Sequence, residues 1–332
     1  MMSKQNQDVG ESADDSIALI ATVFNCLDEA KLGLEFFLKP RNVSQVNEIV
    51  IVDGGSTDGT WQYLESCAQR ETKLHVYRVP GANISRGRNE AIRRSDAALI
   101  VCFDSGTEYS ENWLSLMVEP LRGGADVVGG KSNPIGKTPE EKCWASFWHN
   151  TLGHDNVSHR AIAYRKTVWE AIGGYPEYVA AGEDTWFNRK YQDLGFRYVY
   201  QSEAECFWRV RTSFLALFKM TLRNTTGHVV LRGNSNTGRL YLLLCAKVLY
   251  LVTLTAGLFY WPLLIIATGM YALYTWRRAL DRGRWRFFKS PRLFCFAVVS
   301  MEVRDAAAFC GVMSGTWQRL RHCSRDDVLT GG

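Results

Sequence analysis

The chain has 332 residues, 46% of them hydrophobic, and a formal net charge of +5. That length is ample for a buried core, and so small a charge does not mark the whole chain as a nucleic-acid binder. Nine cysteines, odd in number and without a C-x-x-C pair, argue against a disulfide framework or a zinc cluster and for reduced thiols in a cytosolic compartment.

Residues 1–16 are polar, lack the apolar stretch of a signal peptide, and are expected to be disordered. After them the pattern alternates. Ile17 to Val23 reads as a strand, Asp28 to Leu38 as a helix, Glu48 to Val52 as a strand and Asp58 to Gln69 as a helix. Leu74 to Val79, Ile84 to Arg94 and Ala97 to Phe103 continue as strand, helix and strand. Such alternation implies a mainly parallel sheet covered on both faces, and runs such as ALIVCF suit strands buried on both sides. From Trp113 to Arg209 the pattern is less regular, with short strands at Val127-Val128 and Ala161 to Tyr164 and helices near Glu140 and Asp184.

Ser213 to Arg232 carries an apolar stripe with Lys219, Arg223 and Arg232, which suits an amphipathic helix on anionic lipid. Residues 240–276 are apolar apart from Lys247. A single helix over them would overshoot a ~30 Å hydrocarbon core, whereas two helices of roughly 18 residues turning at Tyr260-Trp261-Pro262 would just span it. Arg239 before the run, and Arg277, Arg278, Arg282, Arg284, Arg286, Lys289 and Arg292 after it, place both ends on the cytoplasmic side. Lys247 favours the competing reading, a buried hairpin or a re-entrant pair. Phe294 to Val312, with Glu302, Arg304 and Asp305, fits an interfacial helix better than a span.

The most informative string is Glu48 to Trp61, EIVIVDGGSTDGTW. A strand ends in Asp53, a Gly54-Gly55 turn follows, and Ser56, Thr57 and Asp58 offer caps for the next helix. Open α/β sheets place nucleotide sites at such carboxyl edges, and glycine lets the backbone approach a ligand. This string closely resembles the VDDGSTDGT segment of family-2 glycosyltransferases of the GT-A fold, with Gly54 where that family has a second Asp. The resemblance extends from about Ile17 to Arg211.

The resemblance implies that Asp53 contacts the base of a nucleotide sugar, with Gly55 in the same turn. It assigns nucleotide contacts to Thr22, Phe24 and Asn25 at the end of the first strand. Gly81 to Ala91, GANISRGRNEA, is similar to the family's G-x-x-x-A-R-N segment. There Arg86 and Arg88 offer forked donors to a diphosphate near a helix start, and Asn89 a base or ribose contact. Asp104 stands where the family has its D-x-D metal motif, but Gly106 removes the second carboxylate. The resemblance then implies Mg²⁺ or Mn²⁺ held through Asp104, the diphosphate and water, with His149, His154, Asp155 or His159 as candidates to complete the shell.

AAGEDTWFNRK, Ala180 to Lys190, matches the family's acidic E-D motif. Adjacent carboxylates on a helix do not share a face, so Glu183 and Asp184 should differ in role. By resemblance Asp184 is the general base toward the acceptor hydroxyl. Taken alone, the E-D pair is better explained by the helix dipole at a first turn; after the Asp53 and Asp104 motifs in order, it is not. CFWRVRT, Cys206 to Thr212, is similar to the W-x-x-R-T/S stretch of exopolysaccharide-type members, which assigns Arg211, and less firmly Arg209, to a diphosphate or lipid phosphate.

The implied organisation is a GT-A domain over 17–210, an interfacial helix over 211–239, a membrane hairpin over 240–276, and a basic cytoplasmic loop, interfacial helix and tail over 277–332. The implied activity is inverting sugar transfer from a nucleotide-diphosphate donor to a polyprenyl-linked acceptor in cell-surface polysaccharide synthesis. It would take place in contact with membrane lipid, on the cytoplasmic face of the plasma membrane, without nucleic acid and with homo-oligomerisation left open. The rival readings are a catalytically inactive sugar-nucleotide-binding membrane module and a processive synthase. The latter would need a proper Q-x-x-R-W and more spans.

Overall fold

Four apolar runs near the start of the chain make the centre of a sheet. In the computed structural model, which describes residues 15–148, 157–210, 213–231, 237–280 and 290–329, they are β1 (Ile17–Val23), β2 (Glu48–Asp53), β3 (Leu74–Arg78) and β4 (Leu99–Cys102). All four run parallel, with β1 between β2 and β4 and β3 outside β2. Parallel neighbours need long crossovers, and α1 (Leu27–Phe37), α2 (Pro40–Val43), α3 (Thr60–Ala68) and α4 (Ile84–Arg93) supply them. Every residue of β4 is buried, as a strand covered on both faces requires.

β5 (Thr107–Tyr109), α5 (Trp113–Arg122), β6 (Val127–Ile135), α6 (Pro139–Ser146), β7 (Ile162–Arg165), α7 (Lys166–Ile172), α8 (Glu183–Asp193) and β8 (Tyr198–Arg209) follow. The sheet order is β3-β2-β1-β4-β7-β6-β8-β5. β7 is antiparallel to both β4 and β6, so the sheet is mixed rather than mainly parallel. The reason is that a continuous apolar run reports burial on both faces and carries no information on strand direction.

Two compact units divide the chain. The first comprises residues 1–132, 157–177 and 190–207. Its core gathers Phe37, Phe103, Tyr109 and Trp113, with Phe37 and Phe103 rings 4.5 Å apart and Tyr109 and Trp113 4.4 Å apart. The carboxyl end of β1 lies against α4 at Gly87, where a Cβ would stand 2.3 Å from the Thr22 side chain.

The second unit comprises residues 133–156, 178–189 and 208–332. It holds α9 (Phe214–Val230), α10 (Thr237–Gly257), α11 (Pro262–Leu280) and α12 (Pro291–Leu329). α9 packs along α12, where Gly311 and Gly315 admit Thr225 and Val229 without a side chain between. Trp144 on α6 donates from its indole to Ser300 on α12 at 2.8 Å, and its ring sits among Phe214 and Phe296.

The chain does turn between α10 and α11 at Tyr260-Trp261-Pro262, but no helix among the described residues is long and apolar enough to cross a membrane. The expected spanning hairpin over 240–276 is therefore not supported. α10 carries Lys247 at its middle and α11 ends on Arg277 and Arg278. Lys247 Nζ bonds Glu302 at 2.8 Å and approaches Asp305 at 3.4 Å, and Arg278 bonds Asp305 at 2.6 Å. The acidic segment after the hairpin is thus the counter-charge to the hairpin's own cations. It belongs to a single helix, α12, that begins just before Phe294 and runs well past Val312. Arg282, Arg284, Arg286 and Lys289 of the expected basic loop lie outside the described residues.

Gly87→Ala should cost about 1–3 kcal/mol by forcing a methyl group into Thr22. Thermal unfolding followed by circular dichroism measures it, and an unchanged midpoint would refute the close contact.

Candidate active site

The loop after β2 is built by its own carboxylate. Asp53 is fully buried. Its Oδ2 accepts from the amides of Gly55 at 3.0 Å and Ser56 at 2.9 Å, and its Oδ1 from the Ser56 hydroxyl. An Asp that bonds the backbone two and three residues on makes a tight turn, and Gly55 completes it at φ +100°. Arg78 stands 3.7 Å away as counter-charge. In this arrangement the Asp53 carboxylate shapes the loop, with its oxygens already occupied from within.

The loops after β1 and β2 clasp each other. The Asn25 amide donates to Ser56 Oγ at 2.8 Å, and the Thr57 amide to Asn25 Oδ1 at 2.9 Å. Asn25 adopts φ 46° to do so, a conformation that Asn tolerates better than most residues. Phe24 beside it is exposed, whereas the buried Thr22 hydroxyl has no partner among the described residues. Thr22, Phe24, Asn25, Asp53 and Gly55 thus sit together at the carboxyl edge of the sheet.

α4 brings three predicted residues to different fates. Asn83 caps it, accepting from the Arg86 amide at 2.9 Å, and leaves the Arg86 side chain exposed. Arg88 is buried, bonds Asp104 Oδ1 at 3.4 Å and lies over the Tyr175 ring. Its guanidinium therefore serves a carboxylate of the protein rather than standing open for a diphosphate. Asn89 is engaged within the protein. Its amide donates to the Tyr175 carbonyl and to Glu177, and accepts from the Trp169 indole and the Tyr175 amide, all between 2.8 and 3.0 Å. Two donors and two acceptors exhaust a carboxamide, so Asn89 holds the segment 169–177 and keeps nothing for a base or ribose.

Asp104, beyond the end of β4, has a second cation that the sequence did not signal. Arg160 Nε lies 3.1 Å from Oδ2, and no motif surrounds it beyond its place before the β7 run. Both Arg160 and Asp104 are partly exposed. Gly106 stands where the family has its second carboxylate, and a Cβ there would meet the Glu29 side chain at 3.1 Å.

A hard cation needs oxygen donors, and among the described residues no group of three or more His, Cys, Asp or Glu side chains is placed to hold one. His149, His154 and Asp155 lie outside the described residues. His159 does not fit the role, because it is buried with Nδ1 2.7 Å from the Tyr175 hydroxyl. Burial holds the Tyr175 and Tyr164 phenols well above the usual range, so both stay protonated. What remains is one carboxylate, Asp104, which fits a cation held mostly by substrate phosphate and water.

In the second unit, α8 opens with the E-D pair after Gly182, whose φ is +88°. Glu183 is buried, while Asp184 is half-exposed and accepts from the Thr185 amide at 2.7 Å. The two neighbours do face different surroundings, as helix geometry requires. His228 on α9 lies near them, and burial pushes its imidazole below the ordinary range while the Asp184 charge acts in the opposite direction. Arg211 lies outside the described residues, and Arg209 ends β8 exposed.

A mixed α/β sheet with a glycine-rich acidic turn and an Asp–Arg cluster at its carboxyl edge has the layout in which open α/β sheets bind nucleotides. Residues 24–181 match Glycosyl transferase family 2. This part of the chain is similar to the glycosyltransferase domains of that family. Two curated relatives agree. Glycosyltransferase AglE of Haloferax volcanii is 25% identical over 54% of this chain and 62% of its own length. Succinoglycan biosynthesis protein ExoA of Rhizobium meliloti is 26% identical over 59% of this chain and 64% of its own. The chain therefore spans a little under two thirds of the curated relatives it matches. The mannosyltransferase PcManGT of Pyrobaculum calidifontis, solved with GDP-Man and Mn²⁺, shares the fold. Its TM-score is 0.64 at 15% identity, covering 91% of this chain and 87% of that one.

Asn89→Leu should cost about 1–3 kcal/mol for each buried partner left unsatisfied. Urea denaturation reads the loss as a lower midpoint at constant slope; a wild-type midpoint would return Asn89 to the ligand.

Proposed function

We propose that the protein is a membrane-associated inverting glycosyltransferase that moves a sugar from a nucleotide-diphosphate donor to a lipid-linked acceptor at the cytoplasmic face of a membrane. The observation that carries the reading is the cluster at the carboxyl edge of a family-2 domain, where Asp104 stands between Arg88 and Arg160 beside the Asp53 turn. Open α/β sheets bind ligands at that edge, and the partly exposed guanidinium of Arg160 there offers charge to a leaving diphosphate.

In this mechanism the acceptor hydroxyl attacks the anomeric carbon as the bond to the diphosphate breaks. Asp184 takes the hydroxyl proton; it is the accessible member of the E-D pair, as a base toward an external substrate must be. Arg160 is the partly exposed cation that meets the negative charge developing on the diphosphate. Asp104 would hold Mg²⁺ or Mn²⁺ with the diphosphate and water, and such an ion would neutralise charge on the leaving group. The Asp53–Ser56 turn and Asn25 shape the nucleotide end of the site.

The lipid-linked acceptor and the membrane rest on the second unit's hairpin. Its charges point inward in pairs, Lys247 and Arg278 against Glu302 and Asp305, while Leu258, Phe259, Tyr260 and Trp261 are exposed, Phe259 at 90%. Apolar groups outside and paired charges inside suit a lipid environment better than water. Because no described helix is a spanning one, the hairpin is read as seated in one leaflet. The relative named for succinoglycan biosynthesis supports a cell-surface polysaccharide as product.

Asp184→Asn should lower transfer on the order of 10²- to 10⁴-fold while nucleotide binding by calorimetry stays intact; loss of both together would sink its role as base. Phe259→Glu with Trp261→Glu should move the full chain from the membrane pellet to the supernatant after high-speed centrifugation. Retention of the double variant in the pellet would count against the hairpin as the anchor.

A further inference from the structure

The E-D pair rests directly on α9, with no side chain between the two backbones. Gly182 lies so close that a Cβ there would meet the His228 amide nitrogen at 3.3 Å and its ring Nδ1 at 3.4 Å. From the other side, a Cβ on Gly227 would stand 1.8 Å from the Ala181 carbonyl oxygen. Any side chain at either glycine would push the two apart, and φ +88° at Gly182 further restricts that position to glycine. The next two residues after this contact are Glu183 and Asp184, so α9 dictates where the pair begins.

The imidazole of His228 is the unexplained group at that contact. Its Nδ1 is buried and has no hydrogen-bond partner among the described residues. A buried polar nitrogen left without one is costly and rare. Asp184 is the charged group whose field reaches the ring, and burial keeps the ring neutral. α12 presents the uncharged Gly311 and Gly315 to this part of α9. Arg223, on α9 itself, lines an adjoining cleft of about 200 Å³ with Val179, Ala180, Thr226, Ser314 and Gln318. A neutral imidazole carries one N–H and one lone pair, and beside a carboxylate the donor form satisfies both groups.

We propose that His228 is a positioning residue for the transfer reaction: its Nδ1–H donates to the Asp184 carboxylate when the acceptor is bound, fixing the other carboxylate oxygen toward the hydroxyl. This rests on the reading of Asp184 as base. A displaced base loses on the order of 10²-fold in rate, while donor binding, made elsewhere, should not change.

The test uses the full chain in detergent micelles. UDP-glucose and GDP-mannose are supplied as donors, undecaprenyl phosphate as acceptor, and the histidines are ¹⁵N-labelled. His228→Leu should lower kcat on the order of 10²-fold at constant donor KM, and His228→Gln, which keeps a donor near Nδ1, should recover a large part. Independently of turnover, the His228 ring ¹⁵N signals, assigned by their loss in His228→Gln, should shift in Asp184→Asn. Unmoved ring signals, or wild-type kcat in His228→Leu, overturn the inference. If Asp184→Asn itself remains active while the ring signals move, the reading of Asp184 as base has failed instead.

Discussion

A carboxylate and two guanidiniums fix the carboxyl edge of the sheet. Arg88 is buried on α4, and a cation so placed is tolerable only against a counter-charge. Asp104 supplies it from the end of β4, and Arg160 closes the other side from the segment before β7. The trio sets how α4 lies on the sheet. Gly87 then has to be glycine because α4 is drawn onto Thr22, and Asn89 is drawn inward to bracket residues 169–177. The Asp53 turn repeats the logic one strand away: a buried acid is neutralised by amides, a hydroxyl and Arg78. Stability and site chemistry are here the same set of ion pairs, so substitutions in them cannot alter one without the other.

The first half of the fold was legible because its signals are local. A run such as ALIVCF states burial on both faces, and DGGSTDGT states a turn and a helix start; both appear where the sequence puts them, within a residue or two. What was not legible depends on distance. The antiparallel course of β7 is invisible in an apolar tetrapeptide. Helix α5 has its apolar face at Trp113, Leu114, Met117, Val118 and Leu121, but Pro120 interrupts its pattern. In β8, buried Ala204, Cys206 and Trp208 alternate with less buried residues, a period-2 signal that apolar Phe207 and the charged Glu203, Glu205 and Arg209 obscure. For the site, the motif residues stand in their strings, but the partners that several of them take within the protein do not show there. Asn89 and Arg88 spend their bonds on protein groups brought from over seventy residues away for Asn89 and sixteen for Arg88. Arg160 and His228 carry no string at all.

The hairpin shows the same limit in reverse. Lys247 reads in sequence as an interruption of an apolar run, and Glu302 and Asp305 as a defect of the next segment. In space they answer each other, with Tyr271 donating to Glu302 at 3.1 Å and Arg278 held by Asp305. Two apparent flaws in separate segments become one internal network that ties three helices together, and the apolar side chains are left to the outside.

The E-D pair completes the argument about neighbours. Two carboxylates side by side at a helix start are usually explained by the dipole alone, and that explanation predicts equivalent residues. They are not equivalent: Glu183 is buried and Asp184 is half-exposed. Helix geometry turns adjacent residues to different sides, and the residue just before the pair, Gly182, is pressed against the Gly227–His228 step of α9. The backbone contact leaves Asp184 turned toward accessible space with a neutral imidazole nearby. Under the proposed mechanism that accessible face is where an incoming hydroxyl would meet Asp184, which is more than a helix dipole would ask of it.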